Sequence, residues 1–166
     1  KEQATVIIEG RYRYELGRIW DNKLPIIGFI MHNSSLADAK VDDPTVRRCC
    51  GFGRLWSYGG IIVWNLSPFI TKNPKDFDNM NMQEMLGDER QANRMFDMVE
   101  NVPKMICAWG ALKHPLFRLR AIEVLRKLSS NRHKLFCLGV TKSGMPRHPL
   151  YIPSTFIPRL YTVRPN

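Results

Sequence analysis

Three places in the chain set a polar side chain where an apolar run stops. His32, Asn33 and Ser34 follow PIIGFIM, Asn65 follows IIVW, and His148 sits in GMPRHPLY. An amide at a strand end presents a donor and an acceptor together, which can hold a water or read the edge of a base. Asn65 is the most telling of these, because an amide inside such a run must find partners. His148 lies between Pro146, Arg147 and Pro149, so the backbone on either side of its imidazole is fixed. Each residue has a plainer use as well. Asn33 could be an Asx-turn or a helix cap, His32 a satisfied structural histidine, and His148 part of a rigid surface turn.

The loop MHNSSLADAKVDDPT, residues 31 to 45, adds Asp38, Asp42 and Asp43, and Arg47 and Arg48 follow it. Strand-to-helix loops usually run about 2–6 residues, and longer polar ones carry sites. Asp43 before Pro44 reads as a helix N-cap, whereas Asp42 and Asp38 lack that role. Arg47 and Arg48 either pair with these aspartates or meet phosphate at the helix start. Phe52 and Tyr58 are candidates to stack on a base, although Phe52 also suits a core position. Trp56, Trp64 and Trp109 read as core.

The elements that must position these residues alternate. ATVIIEG and RYRYELGRIW form an opening hairpin that turns at Gly10. Four buried strands are then expected at 24–32, 59–67, 104–110 and 134–141. Between them the pattern predicts helices from Asp43 to about Tyr58, over EMLGDERQANRMFDMVENV, and over HPLFRLRAIEVLRKLSSN. The expected fold is one α/β domain over residues 1–166, a three-layer α/β/α sandwich. Its central sheet is four-stranded and mostly parallel, with the N-terminal β-hairpin added. The strand-end segments HNSS, WNLSPF, WGALKH and TKSGMPRHP then meet at one edge, where open α/β sheets bind ligands.

Composition narrows the partners. The net charge is +10, yet residues 1–111 carry 14 basic and 14 acidic side chains. Residues 112–166 hold 11 basic side chains against the single acid Glu123. Such asymmetry is the footprint expected for a polyanion, and nucleic acid suits it better than a membrane. No apolar run reaches the roughly 18–20 residues of a membrane span. KEQATVIIEG lacks the apolar segment of a secretion signal. Cys49, Cys50, Cys107 and Cys137 form no CxxC pair, which favours free thiols in a reducing cytoplasm over a metal site. Patterns of dinucleotide, P-loop, serine-hydrolase and zinc-protease enzymes are absent.

The motifs in order resemble an uncharacterised bacterial and phage domain family. They are YRYELGRIWD, FIMHNSSLADAKVDDPTVRRCCGFGRLWSYGGIIVWNLSPF, ICAWG and CLGVTKSGMPRHPLYIP. The family reads approximately R-x-x-L-x-R-x-W-D, N-P-S-x-A-D-A-x-x-D-D-P-T-x-R-R, V-x-N-L, W-G and L-G-x-T-x-x-G-x-P-x-H-P-L-Y, and the resemblance covers roughly residues 12–153. That layout is in turn similar to the uracil-DNA glycosylase superfamily. The likeness implies that Asn33 orients the attacking water; Asp42, in a loop unlike that of the superfamily, is expected from its own chemistry to assist. The likeness makes Asn65 the residue that reads the pyrimidine edge and His148 the one that stabilises the departing base. Beside what the likeness implies, His32, Ser34 and Phe52 are expected to complete the base pocket. Ser34 stands where the family has Pro, and Leu150 follows His-Pro where uracil enzymes have Ser. These departures point away from uracil and toward a larger or modified base.

The function this implies is a monofunctional DNA glycosylase. It would flip out a modified or damaged base, pyrimidine above all, and leave an abasic site in repair or in defence against modified phage DNA. Arg47, Arg48, Arg118, Arg126, Lys127, Arg132 and Arg147 would hold phosphates. No cofactor and no metal are expected, and a monomer is. Two alternatives stay open: a non-catalytic nucleic-acid-binding module of the same fold, and an N-glycosidase or base-modifying enzyme acting on nucleotides.

Overall fold

The computed structural model describes residues 2–162. It begins with the antiparallel strands β1 (Gln3–Glu9) and β2 (Tyr12–Ile19). There follow β3 (Ile26–Asn33), α1 (Pro44–Leu55) and β4 (Gly60–Ser67). Three short helices come next, α2 (Met82–Leu86), α3 (Glu89–Ala92) and α4 (Arg94–Met98). The described chain ends with β5 (Met105–Cys107), α5 (Pro115–Lys127), β6 (Leu135–Cys137) and β7 (Arg159–Leu160).

The strands form a single mixed sheet of seven, in the order β1-β2-β4-β3-β5-β6-β7. The pairs β3/β4, β3/β5 and β5/β6 are parallel, and the outer pairs are antiparallel. The sheet is therefore larger than the four strands expected from sequence. Leu16–Ile19 of β2 pair with Gly60–Val63 of β4, so the opening hairpin extends the sheet instead of standing apart. At the other side the two-residue β7 closes the edge of β6. The edges of the sheet are therefore β1 and the short β7, and a two-residue edge strand leaves few N–H and C=O groups unpaired.

Helices cover both faces, for a reason visible in the alternation of the strands. Ile27, Phe29, Met31, Ile61, Val63, Ile106 and Ala108 point to the face where Val46, Cys49 and Phe52 of α1 pack. Ile30, Trp64, Leu66, Met105, Cys107 and Leu135 point to the opposite face, against Met95 of α4 and Phe117, Ala121 and Val124 of α5. The chain leaves β3 through α1 to β4 on one side. It returns through α2–α4 to β5 on the other side of β3. The strand order thus reverses at β3, and a crevice opens beyond its carboxyl end.

One expected helix is broken. EMLGDERQANRMFDMVENV divides into three because Gly87 takes φ +63°, and Asp88 then caps a new start by accepting from Arg90 N and Gln91 N. A Cβ at Gly87 would fall 2.6 Å from the Tyr14 hydroxyl, so a side chain has no room there. Asn93 separates α3 from α4.

Candidate functional site

The strand ends enclose a cavity of about 520 Å³. Asn33 and His32 reach it from β3, Asn65 from β4, Trp109 and Gly110 from the loop after β5, and His148 from the loop after β6. Asp43, Thr45, Val46 and Cys49 close it from the start of α1. Ligand pockets typically run about 300–1,000 Å³, so the space is of the size that holds a small molecule.

Asn33 is pinned. Its Nδ2 donates to Ser34 O at 3.0 Å and to Thr71 O at 2.9 Å, which uses both amide hydrogens. Only Oδ1 is left as a functional atom, an acceptor. It lies 2.8 Å from His32 Nδ1, so that ring nitrogen carries the proton and His32 Nε2 keeps its lone pair. The His32 ring lies flat on Phe117 of α5, with centroids 4.0 Å apart and planes 10° apart. Burial lowers the His32 pKa below its ordinary 6.5, and the bond to Asn33 opposes that shift.

His148 has the opposite tautomer. Its Nδ1 accepts from Leu150 N at 3.3 Å and caps the 3-10 turn Pro149–Tyr151, so the proton of the neutral ring sits on Nε2. Burial first, and nearby His32 second, lower its pKa, while Asp43 acts in the other direction. Burial thus favours the neutral form of both imidazoles, one with an acceptor and one with a donor at Nε2. The loop carrying His148 packs against Gly110. Gly110 N donates to Pro146 O at 2.8 Å, and Gly110, at φ +73°, would place a Cβ 3.5 Å from His148 Cβ.

Asn65 is 5% exposed, and its Nδ2 donates to Ser34 Oγ at 3.1 Å. Its carbonyl and second amide hydrogen have no protein partner among the described residues, which leaves a donor and acceptor side by side. Ser34 itself is fully buried, and its hydroxyl donates to Arg13 O at 2.7 Å. Ser34 is therefore a hidden tie between β2, β3 and β4, and the expected base contact is corrected. Phe52 is also corrected. It is 2% exposed in the core, stacked on Trp56 and capped by the Arg48 guanidinium.

Asp42 does not reach the cavity wall; it pairs with Arg18 at 2.8 Å. Its neighbour Asp43 does line the cavity, while capping α1 through Val46 N at 2.7 Å and accepting from the Ser35 hydroxyl. Arg48 is an internal clamp, bonded to Pro149 O, Ile152 O and Ser154 Oγ. Arg47 donates to Asp42 O, and Arg118 to Leu112 O and Lys113 O. Arg132 donates to Tyr161 O. Arg147 is exposed beside His148. Arg126 and Lys127 lie in the last turn of α5, about 14 Å from its first turn, and no residue of that helix lines the cavity.

Sequence reasoning missed Arg13, Thr71 and Lys72 on the wall. Arg13 carried a signal, a charged residue inside the alternating run RYRYELGRIW. Thr71 and Lys72 lie in a loop without one. Cys49 also touches the cavity, but burial pushes its thiol pKa well up, which leaves it unreactive. Among the described residues no helix is long and apolar enough to cross a membrane, and no group of three His, Cys, Asp or Glu side chains is placed to hold a metal ion.

Fold and site together define a mixed α/β protein with a pocket of mixed polar and apolar lining at the carboxyl ends of its parallel strands. Residues 13–150 match the family described as "Protein of unknown function (DUF1643)", and the chain belongs to that family. The match takes in Asn33, Asn65 and His148. No curated protein matches the chain.

Proposed function

We propose that the protein is a DNA glycosylase that hydrolyses the N-glycosidic bond of a flipped-out modified or damaged base. The observation that carries this reading is the convergence of Asn33, Asn65 and His148 from three strand ends on one cavity. The parallel block β4-β3-β5-β6, with its site beyond β3, supports the likeness to the uracil-DNA glycosylase superfamily. In the reaction a water oxygen bonds to the anomeric carbon as the bond from that carbon to the base nitrogen breaks. The bonding pair leaves with the base. Asn33 Oδ1, held by His32 Nδ1, accepts from the water, whose proton passes to solvent while solvent protonates the departing base. His148 Nε2–H donates to the base as negative charge grows, a role in which one donor is worth about 3–4 kcal/mol. Asn65 supplies the paired donor and acceptor that read the base edge.

The test uses duplex and single-stranded DNAs carrying uracil, hydroxymethylated, glycosylated or thymine-modified bases, with alkali to reveal abasic sites. Strand breaks on one modified substrate, lost in Asn33→Ala, are the expected result. Salt-sensitive binding with no breaks on any substrate would replace this reading with a non-catalytic binding module. The pinning of the Asn33 amide to Ser34 O and Thr71 O is what favours that second reading.

A further inference from the structure

Arg13 has no part in the chemistry above, yet it is 3% exposed on β2 and lines the same cavity as Asn33 and Asn65. Its described hydrogen bonds both leave from Nη1, to Ser35 O at 3.3 Å and Ala37 O at 2.9 Å. Nε is buried with no partner. Asp43 is near enough to favour the cation, but its oxygens already accept from Val46 N and the Ser35 hydroxyl. Burial lowers the Arg13 pKa to about 10, so the group remains charged at neutral pH. Lys72, exposed on the same wall, adds a second positive charge. Buried guanidinium groups are normally paired, and their planar fork fits a two-oxygen anion.

We infer that Arg13 is the seat of a ligand oxyanion, either a carboxylate carried by the base or the phosphate of its nucleotide. This rests on the cavity being the base pocket, and it narrows the substrate class to ligands with an anionic group within reach of Arg13. Ser34 joins the two halves of the arrangement, since its hydroxyl meets both Arg13 O and Asn65 Nδ2.

Calorimetry at one fixed salt concentration tests it with two pairs of free ligands. They are thymine against 5-carboxyuracil, and thymidine against thymidine 5′-monophosphate. The charged member of one pair should bind about 10- to 100-fold more tightly, the range of a hydrogen bond to a charged group. A difference within the first pair assigns the oxyanion to the base, and one within the second assigns it to phosphate. Arg13→Gln should remove the difference, and Arg13→Lys, which keeps charge without the fork, should restore part of it. The wild-type comparison stands even where a variant fails to fold. Equal or undetectable binding within both pairs would overturn the inference. Abasic-site formation separates it from the glycosylase reading. Anion selectivity without abasic sites would remove the reaction and keep the Arg13 seat, and abasic sites without selectivity would do the reverse.

Discussion

At the scale of single residues, the site works through the atoms that its hydrogen bonds leave over. Asn33 has only an acceptor left, His148 only a donor, and Asn65 one of each. Replacing His148 with Ala should slow excision by about 10²–10³-fold in single-turnover assays, because an oxyanion-type donor is lost. An unchanged rate would make His148 a turn residue and nothing more. Asn33→Asp puts a carboxylate against Ser34 O and Thr71 O in place of two donors. Urea unfolding should register a loss of about 1–3 kcal/mol, the cost of unpaired buried polar groups. The histidines set a pH dependence. Their pKa values are lowered on folding, so the unfolded chain binds more protons as pH falls below 6.5. Their contribution to stability is present above 6.5 and is lost as pH falls through the lowered values. Urea midpoints measured downward from pH 7 should therefore decline, and His32→Gln with His148→Gln should flatten that decline.

Among the elements, α1 does more than cover a face of the sheet. Its first residues bring Asp43 to the cavity, and its Arg48 holds the segment after His148 by bonds to Pro149 O, Ile152 O and Ser154 Oγ. Arg48→Met should raise hydrogen exchange across residues 148–154 and lower the excision rate, while the exchange of β3 and β4 stays unchanged. Uniform loss of protection would instead make Arg48 a general stability residue. Much of this level was legible beforehand. Asp43-Pro44-Thr45 announced the start of α1, and the apolar runs announced β3 and β4, since local signals determine both. The attachment of β2 to β4 was not legible, because strand neighbours far apart in sequence are chosen by tertiary packing. Gly87 was visible as a residue, but the reason a side chain has no room there, Tyr12 and Tyr14 packed against it from a distant strand, was not. The same limit hid the burial of Ser34 and the pairing of Asp42 with Arg18. Neighbouring aspartates look alike in sequence, and the cap at Asp43 decides which one faces the cavity.

For the molecule as a whole, the excess of positive charge lies in the last third of the chain, but its members do not act alike. Arg147 is exposed next to His148 in sequence, whereas Arg126 stands at the far end of α5; outside that third, Lys72 is exposed on the cavity wall. Each cation that meets a phosphate contributes about one unit to the slope of log affinity against log salt. Lys72→Ala and Arg147→Ala should each lower that slope by about one, and Arg126→Ala should leave it unchanged. The central claim is that this pocket cuts an N-glycosidic bond with water. Its most direct test is to incubate the protein with modified-base DNA and analyse both products by mass spectrometry. Free base in solution, with an unmodified abasic deoxyribose left in the strand and no protein–DNA adduct, is the predicted result, absent in Asn33→Ala. Intact DNA with no base released on any substrate would contradict the claim.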